Sequence, residues 1–163
     1  MENINFKFRY DPSPEDVENI RQIVESTNYF YDYEVEVAVE LIIERLDKRL
    51  ASGYEFIFAE ADGKTVAYSC YGHIACTKNS YDLYWIVTHN DYRGKGIGKL
   101  LLTETENKIK ASGGKKVYAE TSSLPKYAPT RKFYETTGYT ADAVLKEFYN
   151  DNDDKVVYVK TLF

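Results

Sequence analysis

Three glycines at alternate positions, Gly94, Gly96 and Gly98, are interleaved with Arg93, Lys95 and Lys99 in a short run that ends in three leucines, Leu100 to Leu102. Glycine lets backbone N–H groups come close to a ligand, and the three basic side chains add positive charge. Leu101, Leu102, Thr105 and Ile109 then recur at the spacing of one helical face, so a helix begins where the glycines end. A helix N-terminus carries unpaired N–H donors and the positive end of the helix dipole. Ahead of the loop, Asp82-Leu-Tyr-Trp-Ile-Val-Thr88 is aromatic and β-branched and reads as a strand. Strand, glycine loop and helix in that order make an anion site, most often one for phosphate.

Two common phosphate motifs do not fit. The P-loop needs Ser or Thr after Gly98-Lys99, where Leu100 stands, and its first glycine would fall at Arg93. The dinucleotide fingerprint needs G-x-G-x-x-G, whereas Gly94, Gly96 and Gly98 are spaced G-x-G-x-G. The pattern R-x-x-G-x-G does fit, through Arg93, Gly96 and Gly98. In this setting it resembles the coenzyme A pyrophosphate loop of the GNAT superfamily of acyl-CoA N-acyltransferases; the alternative is a plain strand-to-helix turn. A second stretch, Thr130-Arg-Lys-Phe-Tyr134-Glu135-Thr-Thr-Gly138-Tyr139, is similar to the family's late motif, a short helix bearing Phe-Tyr-Glu and closed by Gly-aromatic. The resemblance extends along the whole order of elements. The ending from Glu147 to Tyr158 is similar to a subgroup of small bacterial and archaeal members whose substrates are mostly unassigned.

The resemblance implies acetyl-CoA as co-substrate, held where two parallel strands, Asp82–Thr88 and Lys116–Thr121, splay apart. Ile86, Val87 and Thr88 are then expected to contact the pantetheine arm through backbone groups. The N–H groups of Arg93, Gly94, Lys95, Gly96, Ile97, Gly98 and Lys99 are expected to cradle the pyrophosphate. An acceptor amine attacks the thioester directly, and a backbone N–H near Ile86 or Val87 stabilises the oxyanion. Tyr134 matches the tyrosine that donates a proton to the leaving thiolate; a phenol with a reference pKa near 10 is protonated at neutral pH and suits that role. The bland alternative is a packing tyrosine. No motif marks the base that frees the amine: Glu120, ending the splayed strand, is the first candidate, and Glu36 and Glu40 follow. Tyr31, Glu36, Glu40, Tyr71 and Tyr84, with His73, are the candidates for the acceptor pocket. Many family members carry an asparagine near the start of the late helix, where this chain has Thr121-Ser122-Ser123.

The elements that must position these residues follow in order. Phe6 and Phe8 alternate with Lys7 and Arg9 as in a half-buried strand over Asn5–Tyr10. Ser13-Pro14-Glu15-Asp16 has the pattern of a helix start with a capping serine, and Val17, Ile20 and Val24 give the helix an apolar face. Thr27–Tyr33 is an aromatic connection, a cap on the core or a pocket wall. A second helix spans Glu34–Leu50 on the stripe Val35, Ala38, Val39, Ile42, Leu46. It places Glu36 and Glu40 one turn apart, on a solvated face or beside a pocket. Strands follow over Tyr54–Ala61 and Lys64–Cys76, joined at Asp62-Gly63, a hairpin signal. Beyond the glycine-loop helix, Lys116–Thr121 is a strand reached through a helical crossover and so parallel to its predecessor. A short helix over Tyr127–Thr137 and two strands, Tyr139–Tyr149 and Val156–Leu162, complete the chain. Their acidic connection, Asn150–Asp154, lacks the glycine and terminal glutamate of a calcium loop and reads as a solvated hairpin tip.

The expected fold is α/β (α+β): a mixed, mostly antiparallel sheet of about seven strands with about four helices, in one domain over residues 1–163. A net charge of −5 argues against a general nucleic-acid binder and suits a cationic acceptor. No apolar run approaches the roughly 20 residues that span a bilayer, and the first residues lack the pattern of a signal peptide, so no membrane role and a cytoplasmic location are expected. Cys70 and Cys76, read within one strand, would lie about 20 Å apart, too far to bridge, and both read as small core residues. His73 and His89 have no partners at ligand spacing, so no metal is expected. The function expected is transfer of an acetyl group from acetyl-CoA to a primary amine of a small metabolite or amino acid, by a monomer or homodimer. The alternatives are a protein lysine or N-terminal acetyltransferase and a non-catalytic acyl-CoA binding or sensing domain.

Overall fold

The computed structural model describes residues 5–163; the first four, on which the targeting-signal reading partly rested, lie outside the described residues. Its elements in chain order are β1 (Phe6–Arg9), α1 (Asp16–Ser26), α2 (Asp32–Lys48), β2 (Glu55–Ala61), β3 (Lys64–His73), β4 (Ser80–Thr88), α3 (Ile97–Ala111), β5 (Lys116–Ser122), α4 (Ala128–Thr136), β6 (Thr140–Asn150) and β7 (Asp153–Thr161). The seven strands pair in the order β1-β2-β3-β4-β5-β7-β6. Among the described residues β4 and β5 are paired in parallel, whereas β1–β2, β2–β3, β5–β7 and β6–β7 are antiparallel. The exception follows from the connection, since α3 carries the chain back to the starting end before β5 begins. This is the mixed, mostly antiparallel sheet with four helices that the sequence implies.

The chain forms two compact units, Met1–Gly72 with Trp85–Asn107, and His73–Tyr84 with Lys108–Phe163. In the first, Ile20, Ile23 and Val24 of α1 and Val35, Ala38, Val39 and Ile42 of α2 pack on Phe56, Phe58, Tyr68, Cys70 and Val87. These helix residues are the apolar stripes of the sequence, and each is almost wholly buried. Phe30, from the aromatic connection, meets Trp85 edge-on at 5.1 Å and so closes this core. Leu101, Leu102 and Thr105 of α3 are buried as their spacing requires. Inside that packing the Thr105 hydroxyl donates to the Leu101 carbonyl at 2.8 Å and lies 2.8 Å from the Ser69 hydroxyl of β3.

In the second unit, Val117 and Ala119 of β5 and Val156 and Tyr158 of β7 are buried together with Tyr134 and Tyr139. Tyr134 stacks on Tyr158 at 5.5 Å and meets Tyr139 edge-on at 5.3 Å. Strand β6 ends the sheet, and all eleven of its residues are exposed.

Several expectations are corrected. Strand β3 stops at His73 rather than running to Cys76, so Cys76 sits exposed in a loop with a left-handed φ of 66°, while Cys70 is the buried core residue. Strand β7 starts at Asp153, and the Asp153 side chain is buried, accepting a hydrogen bond from the Ser122 hydroxyl; the connection is thus not a wholly solvated tip. Ser13 does not cap α1 through its side chain, and α1 begins only at Asp16. Asp16 organises this end instead, because its carboxylate accepts the Ser13 N–H at 2.8 Å and both terminal guanidinium nitrogens of Arg9 at 2.7 and 2.8 Å. Arg9 also donates to Glu60 at 2.7 Å, which ties β1, β2 and α1 together.

Burial by itself would raise the Asp16 carboxyl; the bonds from Arg9, Ser13 and Asn19 outweigh it and hold the group below its ordinary value. A depressed carboxyl contributes stability above its unfolded value of about 3.9, lost as pH falls through the lower folded value. Asp16→Ala is therefore expected to cost about 3 kcal/mol in urea unfolding at neutral pH. That difference should hold down to about pH 4 and shrink below it.

Candidate functional site

In the first unit, β4 is secured at its end by the His89 N–H, which donates to the Val66 carbonyl of β3 at 2.7 Å. A single tight turn over Asn90–Tyr92 follows, with the Asp91 N–H on the His89 ring nitrogen Nδ1 at 3.1 Å. Gly94 and Gly96 then adopt left-handed φ of 74° and 81°, conformations that strain other L-residues, and the chain turns into α3 at Ile97. The first bond of α3 runs from the Leu100 N–H to the Gly96 carbonyl at 3.2 Å. Ile97, Gly98 and Lys99 thus present the N–H groups that no helical carbonyl can reach, at the positive end of the dipole. One member of the expected cradle is withdrawn: the Arg93 N–H donates to the Asn90 carbonyl at 3.4 Å. Its side chain is fixed by a residue the sequence did not pair with it, for the guanidinium lies 5.1 Å over the Tyr29 ring and donates to the Tyr29 hydroxyl at 3.2 Å. Lys95 lies 5.3 Å from the Tyr92 ring, and Lys99 is exposed in the first turn of α3. Donors and cations of this kind fit a diphosphate such as that of coenzyme A.

Of the residues expected to meet the pantetheine arm, Val87 is buried in the core, and Ile86 and Thr88 are half-buried. Tyr31 caps the start of α2 and is exposed, its ring stacked on Tyr33 at 5.5 Å. Tyr71 is buried on β3. Glu36 is exposed and ion-paired with Arg21 of α1 at 2.6 Å, and Glu40 is exposed as well. The pair of glutamates thus sits on a solvated face, with Glu36 occupied by a structural partner.

The second unit holds the remaining candidates. Tyr134 of α4 is buried among aromatic rings, and burial pushes its phenol well above the ordinary value, so it stays protonated at any physiological pH. Glu120 of β5 does not stand alone: the Lys155 ammonium of β7 lies 2.7 Å from its carboxylate. Lys155 is in turn 3.6 Å over the Phe148 ring, and its side chain is only 13% exposed. Asp82 of β4 pairs in register with Tyr118 of β5, and Glu120, two residues further on, lies on the same face as Tyr118. Burial raises the Asp82 carboxyl, and the Glu120 charge raises it further, against the opposing pull of Lys155. Glu120 is paired with the ammonium and Asp82 feels its charge, on the face to which the exposed Tyr84, two residues from Asp82, also belongs.

The sequence reading had Glu120 but missed Asp82 and Lys155. Their meeting depends on how β7 pairs with β5, which a single sequence does not encode; the sequence reading leaves Lys155 between the acidic connection and the strand that starts at Val156. Where many family members carry an asparagine, two of the hydroxyls in Thr121-Ser122-Ser123 are engaged within the fold. Ser122 donates to Asp153, and Ser123 accepts the Asp154 N–H at 2.8 Å. Among the described residues no group of three His, Cys, Asp or Glu side chains is placed to hold a metal, and no helix is long and apolar enough to cross a membrane.

Fold and loop together define an α/β protein with a glycine turn between a central strand and its crossover helix. The model of the acetyltransferase (GNAT) domain matches residues 12–162. A solved protein from Desulfovibrio desulfuricans, assigned to the GNAT family of acetyltransferases, is 42% identical, with a TM-score of 0.95 over 97% of this chain and 99% of that one. The chain belongs to the GNAT acetyltransferase family. The fold is shared at greater distance by two further solved proteins. The PaiA N-acetyltransferase of Thermoplasma acidophilum, in complex with coenzyme A, is 20% identical, with a TM-score of 0.72 over 96% and 99% of the two chains. The Escherichia coli ribosomal-protein-S18-alanine N-acetyltransferase is 14% identical, with a TM-score of 0.75 over 96% and 94%. No curated protein matches the sequence.

Because the Lys155 ammonium favours the charged form of Asp82, Lys155→Met is expected to raise the Asp82 carboxyl further, as followed by carbon-detected NMR titration. An unmoved Asp82 titration would separate the two groups.

Proposed function

We propose that this chain transfers the acetyl group of acetyl-CoA to the primary amine of a small cationic metabolite or amino acid. The observation that carries the reading is the loop, where left-handed Gly94 and Gly96 open onto the N-terminus of α3 and Arg93 is held ready on Tyr29. The reading is supported by family membership and by two distant relatives of the same fold, the PaiA enzyme and an aminoglycoside 6'-N-acetyltransferase, both solved with coenzyme A. Acetyl-CoA supplies an activated acyl carbon on a thiolate leaving group. In this reading Gly94 to Lys99 and the flanking cations bind the diphosphate, and the backbone of Ile86 to Thr88 binds the arm.

Asp82 and Glu120 carry two negative charges against the single positive charge of Lys155, and the remaining charge favours an ammonium acceptor. Either carboxylate can accept the proton that the amine must lose before it attacks, directly or through water. Asp82 is the better placed, since Glu120 is already engaged by Lys155 at 2.7 Å. As the amine nitrogen bonds to the acyl carbon and the carbon–sulfur bond breaks, Tyr134 gives its proton to the thiolate. A cytoplasmic location agrees with Cys70 and Cys76 remaining unbridged, one of them exposed.

Thermal-shift titration with acetyl-CoA, CoA, ATP and NAD is the first test, because a ligand that binds only the folded state raises its apparent stability whatever the acceptor. Stabilisation by acetyl-CoA and CoA alone is expected; no response to either overturns the reading of the loop. With an acceptor from a thiol-release screen of amines and amino acids, Tyr134→Phe should lower kcat by about a hundredfold. The KM for acetyl-CoA should change little. Unaltered turnover would reduce Tyr134 to a packing residue.

A further inference from the structure

A cationic side chain can be fixed by a carboxylate, which cancels its charge, or by a neutral group, which does not. Arg9 and Arg21 are of the first kind: Arg9 meets Asp16 and Glu60, both at 2.7 Å, and Arg21 meets Glu36 at 2.6 Å. Arg93 is of the second. Its Nη2 donates to the Tyr29 hydroxyl at 3.2 Å, and its guanidinium carbon lies 5.1 Å from the centre of the Tyr29 ring. Among the described residues no carboxylate is paired with it. A guanidinium carries a planar fork of N–H donors, and the Tyr29 bond engages only one of its nitrogens. The exposed Arg93 side chain thus keeps its charge and most of its donors, while its backbone N–H is spent on the Asn90 carbonyl.

Tyr29 is itself held on both sides. Its N–H donates to the Thr27 hydroxyl at 3.3 Å, and that hydroxyl donates to the Val24 carbonyl of α1 at 2.8 Å. Phe30, the next residue, packs edge-on against Trp85 at 5.1 Å. The same segment grips the loop a second time, because the Ser26 hydroxyl, at the end of α1, accepts the Asn90 N–H at 3.0 Å. The turn between Asn90 and Arg93 is already closed locally, by the Tyr92 N–H on the His89 carbonyl at 2.9 Å and the Arg93 N–H on the Asn90 carbonyl. What the Tyr29 contact adds is the place of the guanidinium.

We propose that Tyr29 is a positioning residue for the coenzyme A diphosphate, holding the Arg93 guanidinium at the glycine turn with its charge intact. The inference rests on the proposed reading of the loop as the acetyl-CoA site. An arginine loose in solvent samples many rotamers, and a ligand that has to order it loses affinity by that entropy. A side chain set in advance on an aromatic ring avoids the loss. A carboxylate in the place of Tyr29 would hold the arginine as firmly, but it would also repel the diphosphate.

The test is calorimetric titration of the full chain with CoA at several salt concentrations. Tyr29→Phe removes the hydroxyl, Tyr29→Leu the hydroxyl and the ring, and Arg93→Met the charge. Tyr29→Phe is expected to raise Kd about threefold and Tyr29→Leu about tenfold. Arg93→Met should raise it about thirtyfold and flatten its dependence on salt, since one cation fewer meets the anion. In the Arg93→Met background, Tyr29→Leu should add nothing. A contact that merely shaped the loop would weaken binding without changing the salt dependence. Unaltered affinity in Tyr29→Leu, an equal loss from Tyr29→Leu with and without Arg93, or an unaltered salt dependence in Arg93→Met would each overturn the proposal and leave the reading of the glycine turn standing. Failure of CoA to bind the unaltered protein overturns both. Thermal unfolding without ligand checks that each variant folds. If Tyr29→Leu does not, Tyr29→Phe, which keeps the half-buried ring, replaces it in the same comparison.

Discussion

The parallel ladder between β4 and β5 is only four residue pairs long, from Ser80 with Lys116 to Leu83 with Ala119, yet β4 runs on to Thr88 and β5 to Ser122. Backbone N–H and C=O groups are costly to leave unmade in a protein interior, so a strand that parts from its neighbour must be held by the other one. Strand β5 continues on β7 through Ser122 opposite Lys155, and the Ser122 hydroxyl is bonded to Asp153. The end of β4 is held to β3 through the His89 N–H on the Val66 carbonyl. Each strand thus stays anchored on one side beyond Leu83 and Ala119.

Local chemistry explains which parts of this arrangement were legible. The stripe of α2 and the face of α3 are periodic, and their residues are buried where the period puts them. The parallel pairing of β4 and β5 follows from a helical crossover, and the turn at Asp62-Gly63 from its residue types. The errors came where a residue had both a local and a distant option. Ser13 looks like a cap, but Asp16 accepts the Ser13 N–H because Arg9, on the preceding strand, holds its carboxylate in place. Cys76 was read as part of a strand, but the chain leaves the sheet after His73.

The site shows the same division. The glycine spacing announces the turn into α3, since the helix start and the left-handed glycines are local properties. The partner of Arg93 lies 64 residues earlier, in an aromatic segment that read equally well as a cap or a wall, and Tyr29 is part of its answer. Glu36 and Glu40 were adjacent on a helix, which determines where they point but not what meets them; Arg21 meets Glu36. Glu120 was placed by its strand, but its charge environment comes from β4 and β7 together. Identity and secondary structure can be read in order along a chain, whereas electrostatic neighbourhoods are set by strand register.

One small contact has a mechanical meaning. The hydroxyls of Ser69 and Thr105 meet within an otherwise apolar interface between β3 and α3, and the Thr105 hydroxyl is also bonded along its own helix. Leucines and isoleucines would tolerate a helix that slips or rolls by a fraction of a turn, because dispersion has little directionality. A buried hydroxyl pair does not, since a displacement strands the Ser69 hydroxyl where water cannot reach it. Ser69 and Thr105 therefore act as a dowel that sets the axial position and the roll of α3. Because the loop glycines lie about two to three turns upstream on the same backbone, the direction of the N-terminal amides is tied to a joint buried well below them.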